Sequence, residues 1–383
     1  MHGQSLFQRE GTHMSQNMKL VKAWKINGKN QLSLCDHEIP SSVPAARLRV
    51  EPLYVGTCGS DHDLIKNGGE HSSYKDKVEP IIPGHELCGK VVEIGEGVKG
   101  FSVGDIVVVE PTLPCGTCID CRRGAYNTCK STRYWATPPQ HGCLVQQIDV
   151  QPEWTKRVPS GLDPMLACLT EPLAACVEAV WGGSTSRTQM PIDEHVLILG
   201  GGNIAMGTAL VLLDLINPSR IILAARKQED LDFAKKLGVG HVIPLGDHRT
   251  EGGKEKTRDA MQQILTVSGG GVGSAIECTG ASDVLGELID ARVLLGYGRI
   301  IGIGCHPKCT VDIPTLRRSA VAYIPVRRSC RKFDRTMNLI KDQPEKARLL
   351  VGTVGSFDKL DEVMLKGGGE STGTGGPKTV IRF

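Results

Sequence analysis

"HVLILGGGNIAMGTALVLLDLI", residues 195–216, joins an apolar run to a helix-spaced run through three glycines. An apolar strand that breaks at glycines and passes directly into a helix makes a strand–turn–helix unit. Gly200, Gly202 and Ala205 stand in the order G-x-G-x-x-A. The first glycine suits a tight turn and the second lets the backbone approach a pyrophosphate, while the small third residue lets helix pack on strand. Asn203 and Ile204 open the helix, whose positive end suits the pyrophosphate. Chance matches are common in a chain with 46 glycines, and a purely structural turn is the other reading. The flanking strand and helix favour a dinucleotide.

Downstream the alternation continues. "SRIILAA" (219–225) reads as a second strand, "EDLDFAKKLG" (229–238) as a helix closed by Gly238, and "VGSAIECTG" and "GRIIGIG" as further buried strands. Such alternation predicts a doubly wound parallel sheet, the α/β Rossmann architecture. An NAD site places an acid about 20 residues past the glycine loop, on the ribose 2′-OH. Here Ala225 holds that place, followed by Arg226 and Lys227, with Glu229 and Asp230 as first-turn helix acids. A missing carboxylate and an adjacent guanidinium suit a 2′-phosphate, so NADP is expected over NAD. A solvated basic turn with NAD still bound is the alternative.

Upstream the pattern differs. Residues 19–150 carry short strand-like runs, "LRVEPLYV", "KVVEIG", "DIVVVEP" and "LVQQIDV", punctuated by glycines, as in an irregular antiparallel barrel. The C-terminal part is mixed, with a Gly-rich loop "KGGGESTGTGG" before a last strand "KTVIRF". The 383 residues suggest about two domains. A net charge of +3 implies no nucleic-acid partner, and no apolar run reaches the roughly 20 residues of a membrane span. The first 18 residues lack an apolar core and read as a loose extension rather than a secretory signal. Of 14 cysteines, ten are scattered in apolar or Gly-rich segments and read as small buried hydrophobes, which fits a reducing, cytoplasmic setting.

The other four form "PCGTCIDCRRGAYNTC", 114–129, in the spacing C-x2-C-x2-C-x7-C. Cys115, Cys118, Cys121 and Cys129 can surround one tetrahedral zinc, with Gly116 and Gly124 easing the loop. Disulfides are the competing reading. Four protein ligands leave no open position, so this lobe is expected to be structural and the chemistry elsewhere. "GTCGSDHD", "PGHELCG" and "LTEPLAACVEAV" offer Cys58, His85, Glu86 and Glu171, one sulfur, one nitrogen and two carboxylates suited to a zinc with an open position.

In this order, with "ATPPQHG" at 136–142 between the lobe and "EPL", residues 19–383 resemble the zinc-containing medium-chain dehydrogenases, sorbitol (polyol) dehydrogenase branch. The resemblance implies a GroES-like barrel domain split into 1–171 (with the zinc lobe at 114–130) and 324–383, around a nucleotide domain at 172–323. It implies Cys58, His85 and Glu86 as catalytic zinc ligands, with Glu171 a fourth ligand or the holder of the zinc water. Ser60 would touch the substrate hydroxyl, and the chain would form homo-oligomers, tetramers or dimers. Two zincs per chain, NADP and a small alcohol or ketone follow. The reaction implied is reversible oxidation of a secondary alcohol on a polyol, sugar or cyclitol.

Two departures bear on the reaction. Where the family commonly has a relay histidine stands Asp63, with the histidine at His62. In place of an Arg-Tyr pair near the substrate, "VRRSC" offers Arg327 and Arg328. A second arginine could favour a phosphate or carboxylate on the substrate, or simply begin a basic face running through Arg331, Lys332 and Arg335. Non-carbohydrate or anionic alcohols (an amino acid, a sugar phosphate, a natural-product intermediate) are therefore the alternative substrates. A non-catalytic NADPH-binding protein is disfavoured, because the ligand set is complete.

Overall fold

The computed structural model describes residues 17–69, 80–182, 193–247, 249–304 and 312–383. Most of the N-terminal extension thus lies outside the described residues.

The strand after which the glycines turn is Val196–Leu199. It lies at the centre of a six-stranded parallel sheet in the order His241–Pro244, Ile221–Ala225, Val196–Leu199, Val272–Glu277, Leu294–Gly302, Ala322–Pro325. Val196–Leu199 and Ile221–Ala225 read as unbroken apolar runs because both of their faces are covered. Val196 and Ile198 face one core while Leu197 and Leu199 face another on the opposite side. Gly200 takes φ +122° at the turn, and Gly238 (φ +110°) ends the helix Gln228–Leu237. Both are left-handed positions that favour glycine.

The second sheet is mainly antiparallel and draws on both ends of the chain. Its order is Glu370–Ser371, Val351–Ser356, Lys378–Arg382, Leu48–Gly56, Glu86–Ile94, Ile106–Val109, Thr155–Arg157, with Ile148–Val150 also on Leu48–Gly56. One step is parallel, Val351–Ser356 beside Lys378–Arg382. The Gly-rich loop is less irregular than its composition suggests, since Glu370 and Ser371 pair with Val354 and Thr353.

Between the sheets the helix Thr170–Trp181 packs its apolar side on Asn203–Leu212 and Phe333–Asp342. Leu173, Ala174 and Val177 share one buried cluster with Ile198, Phe333 and Met337. That helix carries Glu171 in its first turn, so the packing that joins the two parts also fixes a site residue.

Candidate active site

The structure brings seven of the eight predicted ligands into two separate clusters and leaves Glu171 outside both. In the first, sulfur atoms of Cys115, Cys118, Cys121 and Cys129 all lie within 4.8 Å of one another. Cys118–Cys121 is 3.5 Å, Cys115–Cys129 3.6 Å and Cys115–Cys121 4.0 Å. Zinc–sulfur bonds of about 2.3 Å in a tetrahedron put neighbouring sulfurs about 3.8 Å apart, so the set fits zinc. All four are free thiols rather than disulfides. Gly116 (φ +74°) and Gly124 (φ +85°) let the loop fold back. Backbone N–H groups of Thr117 and Cys118 draw Cys115 down to about 6, whereas burial and then Cys118 push Cys121 up to about 12. Four crowded thiols cannot all ionise without a cation to neutralise them.

In the second cluster, ligand atoms of Cys58, His85 and Glu86 also lie within 4.8 Å. Cys58 caps the helix Gly59–Lys66, while His85 immediately precedes and Glu86 opens the strand Glu86–Ile94. Asp61 ties the two loops together. Its carboxylate accepts from Cys58 N (3.0 Å) and Gly84 N (2.9 Å) and stands 3.6 Å from His85 Nδ1. A carboxylate beside one ring nitrogen leaves the other to a metal. Burial pulls the His85 pKa down, but Asp61 and Cys58 outweigh it and hold it well above the ordinary value.

Lys378 is the second residue that sequence reading missed. Its buried ammonium donates to Glu86 Oε1 (2.6 Å) and to Thr57 O (2.7 Å), and Glu86 Oε2 is also its ion-pair partner. Burial pushes Glu86 up to about 7, opposed by Lys378 and His85 and helped by Glu171. Gly56 makes this approach possible, because a Cβ there would collide with Glu86 Oε2. Tyr134 is the third. Its hydroxyl donates to Glu171 Oε1 (2.6 Å) and its ring lies 5.4 Å from that of His85. Burial, then the Glu171 charge, keeps this phenol protonated.

Arg328 also reaches this region, with its guanidinium 3.3 Å from the Tyr134 ring centre. Arg327 is exposed, and its carbonyl accepts from Asn127 Nδ2 (2.9 Å). The basic run beyond is not simply solvated. Lys332 pairs with Glu178 (3.4 Å) and Arg335 lies over Trp181. Ser60, His62 and Asp63 are exposed on the helix that Cys58 caps.

Gly200, Gly202, Ala225, Arg226 and Lys227 all line one cleft of about 960 Å³. Asn203 and Ile204 are half-buried at the start of the helix behind it. Asp230 is more than a helix-dipole acid, because it lines the same cleft against Gly201, where a Cβ would meet its carboxylate at 2.2 Å. Gly375 of the Gly-rich loop and Pro377 just after it close the cleft from the other part of the chain.

Residues 45–160 match the alcohol dehydrogenase GroES-like domain. The sorbitol dehydrogenase of Arabidopsis thaliana is 30% identical over 76% of this chain and 76% of its own. The chain belongs to the zinc-containing medium-chain dehydrogenases. Within that family it is sorbitol dehydrogenase-like, an enzyme of alcohol oxidation and carbonyl reduction. The L-threonine 3-dehydrogenase of Pyrococcus horikoshii is also 30% identical, over 78% of this chain and 80% of that one. The crystal structure of 2R,3R-butanediol dehydrogenase from Bacillus subtilis superposes with a TM-score of 0.78, covering 95% of this chain and 99% of the other at 23% identity. At that identity the likeness is one of fold. Among the described residues no helix is long and apolar enough to cross a membrane.

Proposed function

We propose that this dehydrogenase reversibly oxidises a secondary alcohol of a polyol, sugar or cyclitol, with NADP preferred over NAD and two zincs per chain. The reading rests chiefly on the approach of Cys58, His85 and Glu86 to within 4.8 Å of one another, backed by the buried charges of Asp61 and Lys378. A zinc held there supplies Lewis-acid polarisation of an alcohol oxygen, and the dinucleotide supplies the hydride acceptor. Cys58, His85 and Glu86 hold the metal, and Glu171, aimed by Tyr134, is its fourth ligand or holds its water. Ser60 meets the substrate hydroxyl. Gly200 and Gly202, with Asn203 and Ile204, receive the pyrophosphate, and Arg226 and Lys227 the 2′-phosphate that Ala225 does not repel. Cys115, Cys118, Cys121 and Cys129 hold the structural zinc. The proposal includes a catalytic domain of 1–171 and 324–383 around a nucleotide domain of 172–323. It also includes a homo-oligomer, for which the last two strands of the parallel sheet carry the exposed residues Leu295, Tyr297 and Tyr323.

A second reading, an anionic alcohol such as a sugar phosphate or an acid, is favoured by Arg328 stacked on Tyr134. Oxidation of polyols, cyclitols and sugar phosphates should be assayed with both cofactors. The expected result is turnover of a neutral polyol with kcat/KM at least about tenfold higher for NADP, since one charge-assisted contact exceeds the 1.4 kcal/mol of a decade. Equal or better use of NAD would refute the cofactor assignment, and no turnover of any alcohol the substrate class. If anionic substrates dominate and Arg328→Tyr weakens them far more than neutral ones, the second reading replaces the first.

A further inference from the structure

Beside the cofactor cleft lies a second cavity of about 580 Å³, which shares Arg226, Lys227 and Leu245 with it. The far wall of this cavity comes from a different element, the loop Gly246–Asp247 and the start of the helix Glu251–Val267. That wall is tightly built. Gly246 N donates to Thr257 Oγ1 (3.2 Å), and Thr257 Oγ1 donates to Gly253 O (2.9 Å). A Cβ on Gly246 would stand 1.9 Å from Gly253 O, and one on Gly253 would stand 1.9 Å from Asp247 O. Loop and helix can meet this closely only because both positions are glycine.

The lining carries four cations, Arg226 and Lys227 on the near side and Arg249 and Lys256 on the far side, against the single acid Asp247. Asp247 holds Arg249 in a two-pronged pair (2.9 and 2.6 Å) and lies 3.6 Å from Arg226 Nη1. Arginines from the two walls thus converge on one small carboxylate. This geometry suits a compact, multiply charged anion with more acceptor oxygens than Asp247.

We propose that Arg249 and Lys256 form the second half of a clamp that closes on the ribose 2′-phosphate of NADP, opposite Arg226 and Lys227. The proposal rests on the NADP reading above and extends it to residues that the glycine-loop motif does not reach. The shared chemistry is a phosphate dianion, and a free inorganic anion is the other possible source.

The test is calorimetric titration of the full chain and of Arg249→Ala/Lys256→Ala with 2′,5′-ADP, 5′-AMP and inorganic phosphate, with circular dichroism as the folding control. Wild type is expected to bind 2′,5′-ADP at least tenfold more tightly than 5′-AMP. The double variant should lose about tenfold for 2′,5′-ADP and stay within twofold for 5′-AMP. Wild-type preference for 2′,5′-ADP that survives in the variant overturns the second wall while leaving the NADP reading intact. Equal wild-type affinity for the two nucleotides removes the NADP reading and the clamp with it. Inorganic phosphate binding as tightly as 2′,5′-ADP marks a free-anion site and overturns the assignment to the cofactor.

Discussion

The four-sulfur lobe and the set formed by Cys58, His85 and Glu86 are each compact enough for one ion, yet they are built in opposite ways. The lobe takes all its ligands from 15 consecutive residues, 115–129, and closes through two left-handed glycines and local N–H···S contacts. The second set is assembled across the fold. Asp61 bridges two loops, Lys378 arrives from the last strand, Tyr134 follows the lobe, and Glu171 sits on the helix between the sheets. A locally closed ligand set holds a chain in shape. A ligand set held from several directions by buried charges can keep a position open, since its geometry does not depend on filling it.

The largest expected effect that sharpens this contrast is at Lys378. Lys378→Met leaves Glu86 buried without its ammonium partner, which should cost about 3–5 kcal/mol in denaturant unfolding. A loss under about 1 kcal/mol would mean that Glu86 does not depend on Lys378. The next effect is at Asp61. Asp61→Asn keeps the shape but weakens the carboxylate–histidine pair, and should lower zinc affinity or turnover by about 10–100-fold without unfolding the chain. Unchanged values would leave Asp61 as a loop fastener alone.

The smallest effect belongs to the lobe side, where Tyr126 donates to both oxygens of Glu110 (2.8 and 2.9 Å) and accepts from Arg331 N. Burial raises Glu110 from 4.5 to about 7. A carboxyl with its folded pKa above its unfolded one binds its proton more tightly when folded. Its contribution to stability is therefore fully present below pH 4.5 and lost as pH rises through about 7. Glu110→Gln, neutral at every pH, should gain on wild type across that window by roughly 1–3 kcal/mol. A constant difference from pH 5 to 8 would mean that Glu110 ionises without penalty.

The same contrast explains what was legible in the sequence. The glycine loop, the parallel strands and the cysteine lobe are local patterns, and each occupies the stretch that predicts it. Cys58 was also legible from "GTCGSDHD", and His85 with Glu86 from "PGHELCG". Asp61 lies inside the same stretch as Cys58, where a carboxylate three residues after the cysteine fits a capping arrangement at the helix start but carries no metal-site signal of its own. Tyr134 lies two residues before "ATPPQHG", outside any motif that marks it. Lys378 had no local signal, because a lysine opening a strand usually points to solvent and its partner is 292 residues away. The far wall of the cavity beside Arg226 was hidden for the same reason, since Arg249 and Lys256 look like surface charges until the loop folds back.

The division into a holding site and a working site is tested most directly by zinc content per folded chain, measured by elemental analysis on wild type and on His85→Ala. Wild type should carry two zincs, and His85→Ala should keep its fold and the one zinc of the cysteine lobe. A single zinc in well-folded wild type, or two zincs still bound in His85→Ala, would contradict it.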